Sequence, residues 1–222
     1  NQDKLAVFED TSYYWQYRAF TEQSTFSYTP PKTSIKVYNI RDRANPTLIH
    51  TRNITVEGSY FNSRMIGNYA YILINQQIYT DENDVTLPKI TYPTQTETVP
   101  ANQIYYTNIT DRFNTYMNVL AINLHNDHQE PTVKSYLQSY ASTMYVSQNN
   151  IYLTYSTYQT ETQTQATGIH RINIDKGEID YQASGAVPGY VLNQFSMDEC
   201  EGYFRIATTD WAEWASRNNV YI

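Results

Sequence analysis

The chain has 222 residues, with 22 Asp and Glu against 15 Lys and Arg, four histidines and one cysteine, for a formal charge of −7. It carries no basic run, so it lacks the cationic footprint that nucleic-acid binding needs, and the lone Cys200 can close no internal disulfide. No apolar run reaches the roughly 18 residues of a membrane-spanning helix.

β-Branched and aromatic runs, broken by Asn, Gly, Asp and Pro, recur throughout, and no helical stripe persists. In chain order they predict strands over Leu5 to Phe8, Ser34 to Ile40 and Thr47 to Ile54. Four more follow over Gly58 to Ile66, Tyr69 to Asn75, Asn118 to Leu124 and Thr132 to Gln138. The next four cover Ala141 to Ser147, Asn150 to Ser156, Thr167 to Ile174 and Glu178 to Ser184. The last three are Val191 to Asp198, Tyr203 to Thr208 and Asn218 to Ile222. Gly67-Asn68, Gln148-Asn149 and Glu201-Gly202 supply residues tolerant of positive φ for tight turns between first and second strands.

One strand ending is written four times: Val37-Tyr38-Asn39-Ile40, Ala121-Ile122-Asn123-Leu124, Arg171-Ile172-Asn173-Ile174 and Val220-Tyr221-Ile222. The intervals are 84, 50 and 49 residues, the first being one period plus an insertion. A repeat of about 40–50 residues made only of strands is that of a β-propeller, with one four-stranded antiparallel blade per repeat. The expected chain is all-β: a partial blade over 1–54, a blade over 58–138 with a long loop 76–117, a blade over 141–184 and a partial blade over 191–222. That is about three to three and a half blades of an incomplete ring. A β-sandwich with irregular spacing is the competing fold, and the repeated strand-turn-strand order counts against it. Leu5 to Phe8 lacks a preceding inner strand and Asn218 to Ile222 a following outer one. Remaining blades of the same polypeptide, or neighbouring copies in an assembly, are expected to pair with them.

Several stretches carry a family resemblance. Val56-Glu57-Gly58-Ser59-Tyr60 with Ser63 to Tyr69, Ala183-Ser184-Gly185 with Val187-Pro188-Gly189-Tyr190, Leu192 to Glu199, Phe204 to Thr209 and Asn1 to Phe8 resemble a secreted archaeal and bacterial C-terminal β-propeller domain family, distantly related to WD-40 repeats. Cys200 departs from it, standing where an aromatic is more usual. The resemblance implies a surface or secreted protein with no assigned catalytic residues.

Blade geometry then places the long connections. Loops between second and third strands open on the same face as the links between blades, and the long insertions all fall there: Asp10 to Thr33, Gln76 to Met117, Thr157 to Ala166 and Asp210 to Arg217. They are aromatic, and Tyr13, Tyr14, Trp15, Tyr17, Tyr105, Tyr106, Trp211 and Trp214 are the candidate binding residues. Such side chains give broad contact area with a polar handle and suit protein contact or sugar stacking. The bland reading is that long loops use tyrosine to build small cores of their own.

Other groups could carry chemistry. His125, Asp127, His128 and Glu130 crowd one third-to-fourth-strand turn and could ligate a metal, though a polar hairpin looks the same. Asp198 and Glu199, with Glu201, end an innermost strand and could line the channel as an acid/base pair or a calcium site. Asp81, Glu82 and Asp84 form an acidic patch in the longest loop that could also take calcium. No cofactor beyond such a structural calcium is expected. Cys200, between Glu199 and Glu201, reads as a buried or idle thiol because neighbouring acids raise its pKa. Phosphate loops and a G-x-S-x-G elbow are missing from the sequence.

The expected role is therefore a non-enzymatic extracellular or cell-surface module that meets a protein or glycan through its aromatic loops. A secreted hydrolase or lyase using channel-facing carboxylates is the alternative. The exterior location rests partly on composition: charged residues are 17% while tyrosine fills 23 positions, so solubility depends on neutral polar groups. It also rests on two sequons, Asn53-Ile54-Thr55 and Asn108-Ile109-Thr110. Both asparagines are expected to be exposed and glycosylated: intact-mass analysis of protein from its native host should show glycan at Asn53 and Asn108, and an unmodified mass would remove this support.

Overall fold

Runs dense in tyrosine, threonine and isoleucine fold as strands because such side chains pack well on a pleated surface. The only helical turns among the described residues are two three-residue 3-10 segments, Ala101–Gln103 and Gln194–Ser196. The computed structural model describes residues 3–11, 14–17, 26–78, 80–81, 84–106, 115–159, 164–212 and 215–222.

The first sheet holds β1 (Lys4–Thr11), then β4 (Lys32–Asn39) and β5 (Thr47–Glu57), with the hairpin β2 (Tyr14–Tyr17) and β3 (Phe26–Thr29) between β1 and β4. The second begins with β6 (Ser59–Ile66) and β7 (Tyr69–Gln77). Five short strands follow: β8 (Thr80–Asp81), β9 (Asp84–Val85), β10 (Lys89–Thr91), β11 (Thr96–Thr98) and β12 (Ile104–Tyr106). The second sheet then resumes with β13 (Thr115–Asn123) and β14 (Thr132–Gln138). The third is β15 (Ala141–Val146), β16 (Asn150–Gln159), β17 (Thr164–Asp175) and β18 (Glu178–Pro188), paired in sequence order. In the fourth, β19 (Tyr190–Val191) and β20 (Met197–Cys200) both pair with β21 (Tyr203–Ala212), which pairs with β22 (Ala215–Tyr221). Four successive sheets of this order, antiparallel in their blade strands, make an incomplete β-propeller. β1 and β22 are edge strands, each paired on one side among the described residues.

The second sheet is the centre of packing. Along β7, Ala70, Ile72 and Ile74 turn to the first sheet and Tyr71 and Leu73 to the third. Along β13, Leu120 and Ile122 join the first core while Met117, Val119 and Ala121 join the second. Period-two alternation sends successive side chains to opposite faces, so a sheet buried on both sides needs an unbroken apolar run. The first sheet answers with Ile35, Val37, Ile54 and Val56, and the third with Met144, Ile151, Leu153, Ile172 and Ile174. Beyond it, Phe204 stacks on Tyr152 at 3.9 Å to join the fourth sheet to the third.

Three expectations need correction. The connections 157–166 and 210–217 are mostly strand, since β16 and β17 run to Gln159 and from Thr164, and β21 and β22 run to Ala212 and from Ala215. Their tyrosines and threonines continue the ladder of the hairpin. Val191 to Asp198 is not one strand: Asn193 accepts a hydrogen bond from Phe195 N at 2.9 Å and turns the chain before β20. The segment 76–117 is not a free loop, because parts of it are hydrogen-bonded to two sheets.

The links between blades repeat one device. Gly58 N donates to Pro31 O at 2.7 Å and Gly58 O accepts from Thr33 Oγ1 at 2.8 Å. Gly189 N donates to Gln165 O at 2.9 Å and Gly189 O accepts from Thr167 Oγ1 at 2.8 Å. Gly58 has φ +122, and a Cβ there would lie 2.6 Å from Asn75 O. Gly58→Ala should therefore cost about 2 kcal/mol or more. Chemical denaturation measures this, with Gly185→Ala, where a Cβ meets nothing within 4 Å, expected to be near neutral.

Several tyrosines are core residues: Tyr71, Tyr116, Tyr136, Tyr152 and Tyr155. Burial raises the pKa of Tyr71, Tyr116 and Tyr136. Burial, then Glu199, pushes Tyr152 up to about 12 from an ordinary value of 10.0. The folded chain thus keeps a proton that the unfolded chain releases near pH 10, so this stability is full below pH 10 and lost as pH rises towards about 12. The melting temperature should fall on going from about pH 9 to about pH 11, and Tyr152→Phe should make that fall shallower.

Candidate functional site

The inserted segment builds a cavity at the outer perimeter of the first two blades. β10 adds antiparallel to the outer strand of the first sheet, with Ile90 opposite Val56 and Thr91 opposite Thr55. β12 adds parallel to the outer strand of the second, from Ile104 opposite Ser135 to Tyr106 opposite Leu137. Lys89 to Tyr106 is thus a strap across two blade edges. It is braced by Tyr92 N to Gln95 O at 2.8 Å and Val99 N to Pro88 O at 2.8 Å. Beneath it lies a cavity of about 680 Å3.

The floor is Arg52, 1% exposed in β5. Its Nη2 donates to Asn126 O and to Gln129 O, each at 2.6 Å, so the first sheet grips a turn of the second. Thr51 Oγ1 donates to Asp127 O at 3.2 Å, and Asp127 forms an ion pair with Lys4. Burial lowers the pKa of Arg52, with Asp127 opposing. The walls carry Tyr92 and Tyr105. Burial, then the nearby carboxylates Glu97 and Glu130, pushes Tyr92 up to about 12, so it is a neutral hydroxyl at ordinary pH. Tyr105 rests against Tyr136 at 5.6 Å, with Lys134 Nζ 5.3 Å from its ring centre.

The candidate metal ligands of the turn do not gather as a set. Asp127, His128 and Glu130 line the cavity, while Asp127 is taken by Lys4 and His125 is exposed outside the lining. Among the described residues, no three His, Cys, Asp or Glu side chains converge on a metal position. Asp198 pairs with Arg205. Glu199 accepts from Ser147 Oγ at 2.7 Å and from Asn150 Nδ2 at 3.1 Å, and so ties the fourth sheet to the third. These contacts bind the two carboxylates into the scaffold. Cys200 is exposed. Asp81 and Asp84 are register partners in the β8–β9 ladder, and Glu82 lies outside the described residues.

The candidate aromatics divide. Tyr14, Trp15 and Tyr17 stand in β2, while Tyr13 and Trp214 lie outside the described residues. Tyr105 and Tyr106 belong to a strand at the outer edge rather than to a loop. Trp211 is 70% exposed near the tip of the β21–β22 hairpin, and Tyr106 is 73% exposed. Sequence reasoning missed two partners: Tyr140 on the link to the third sheet and Tyr158 near the tip of the β16–β17 hairpin, 63% and 60% exposed. All four sit at the end of the sheets where blades are linked. Of the sequons, Asn53 is half-buried in β5 and Asn108 lies outside the described residues.

The sequence model of the Beta propeller domain family matches residues 1–222. An uncharacterized protein of Methanocaldococcus jannaschii is 48% identical over 60 residues, which is 25% of this chain and 9% of that protein. An uncharacterized protein of Archaeoglobus fulgidus is 39% identical over 71 residues, 31% of this chain and 11% of that protein. The matched stretches thus span about a tenth of the length of these curated relatives. With four radial sheets in blade order and a family match along its whole length, the chain belongs to the β-propeller domain family.

Proposed function

We propose that this propeller is a non-catalytic binding module of the cell exterior, meeting a protein or glycan with the face where its blades are linked. The observation that carries the reading is the gathering of Tyr106, Tyr140, Tyr158 and Trp211 at that one end, each at least 60% exposed. Tyrosine and tryptophan lose few rotamers when covered and dominate binding energetics at protein surfaces. The opposite end offers fewer exposed aromatics among the described residues, chiefly Tyr203 at the start of β21. The engagement of Asp198 and Glu199 with scaffold side chains favours binding over the hydrolase or lyase reading.

The test is sedimentation of the purified protein with isolated cell envelope from its native host. Binding should be saturable, and Trp211→Ala with Tyr158→Ala should weaken it by about tenfold or more, on the scale of one or two hot-spot residues. Tyr203→Ala, at the other end, should leave it unchanged. No binding by the unaltered protein, or equal loss in all variants, would sink the proposal.

A further inference from the structure

The cavity beneath the strap contains a charge that the fold leaves half-satisfied. Arg52 Nη2 is occupied by two carbonyls, but its Nε is buried and finds no acceptor among the described residues. The carboxylate that acts on it, Asp127, is itself neutralised by Lys4. A desolvated guanidinium without an anion in contact is unfavourable, and native proteins pair such groups or reserve them for a ligand.

We propose that this cavity binds an acidic saccharide, a uronic-acid unit whose carboxylate neutralises Arg52 and whose ring lies against Tyr92 and Tyr105. The volume of about 680 Å3 is that of a small-molecule site. The tyrosine walls give flat surfaces for a sugar ring, and the amides of Gln95 and Gln103 can both donate to and accept from hydroxyls. An extended peptide is disfavoured because β10 and β12 already occupy the edges of β5 and β14 that it would pair with. A phosphate is disfavoured because Glu97 and Glu130 flank Tyr92, and a doubly charged group is repelled more than a single carboxylate. The site lies at the perimeter, away from Trp211 and Tyr158, and stands whether or not the linked face binds anything.

Titration calorimetry with glucuronic acid and glucose, which differ only at the carboxylate, tests it. Glucuronic acid should bind about tenfold more tightly than glucose or better, and added salt should erode that preference. Glu97→Gln, an exposed change that removes one flanking negative charge, should tighten glucuronic acid several-fold and so widen its preference over glucose. Arg52→Gln should abolish the preference. Because Arg52 also braces a turn, Tyr105→Ala supplies a second variant, expected to weaken both sugars. Failure of glucuronic acid to bind, equal affinity for the two sugars, or no response to Glu97→Gln would overturn the proposal.

Discussion

The arrangement depends on β7 and β13 being buried on both faces at once. Each apolar side chain of that size contributes about 1.5–3 kcal/mol on leaving water, and these two strands send such side chains to both neighbouring sheets. Neither face can be given up without exposing a run of Ile, Leu and Val. The blades are therefore held in order by alternation within two strands rather than by any single contact. At the fourth sheet the apolar contribution thins to Phe204, Met197 and Ile206, and the polar clasp from Glu199 to Ser147 and Asn150 takes a larger share.

The same logic explains what holds the strap Lys89 to Tyr106 in place. A long excursion costs conformational entropy, which a few backbone hydrogen bonds alone do not repay. Ile90 closes the gap by entering the core between the first two sheets, 3% exposed beside Val56. The excursion is thus fastened by an apolar anchor as well as by its ladder, and the space it spans is held open between two rigid walls.

The blade order was legible because the central strands are written as uninterrupted apolar words such as Tyr69 to Asn75, and because turn chemistry recurs between them. Hairpin tips were less so: Tyr158 sits in threonine- and glutamine-rich text and Trp211 in a short polar and alanine-containing stretch, both of which read equally as loop, and only the partner strand decides. The strap was hidden because it pairs over two or three residues with strands remote in sequence, too few for any periodicity. Glu199 looked like a channel carboxylate because its partners Ser147 and Asn150 lie 52 and 49 residues away. Arg52 stood in an ordinary strand word, and nothing local marked it as the floor of a cavity.

The strap also changes how the first two blades would come apart. Leaving the second sheet at Gln77, adding to the edge of the first and returning along β14, it laces the pair together through covalent chain as well as packing. A force that opens the gap loads the β5–β10 and β12–β14 ladders before the apolar interface can peel. The first two blades should then yield as a single mechanical unit, while the fourth sheet, with no comparable lacing described, is the weaker joint in the ring.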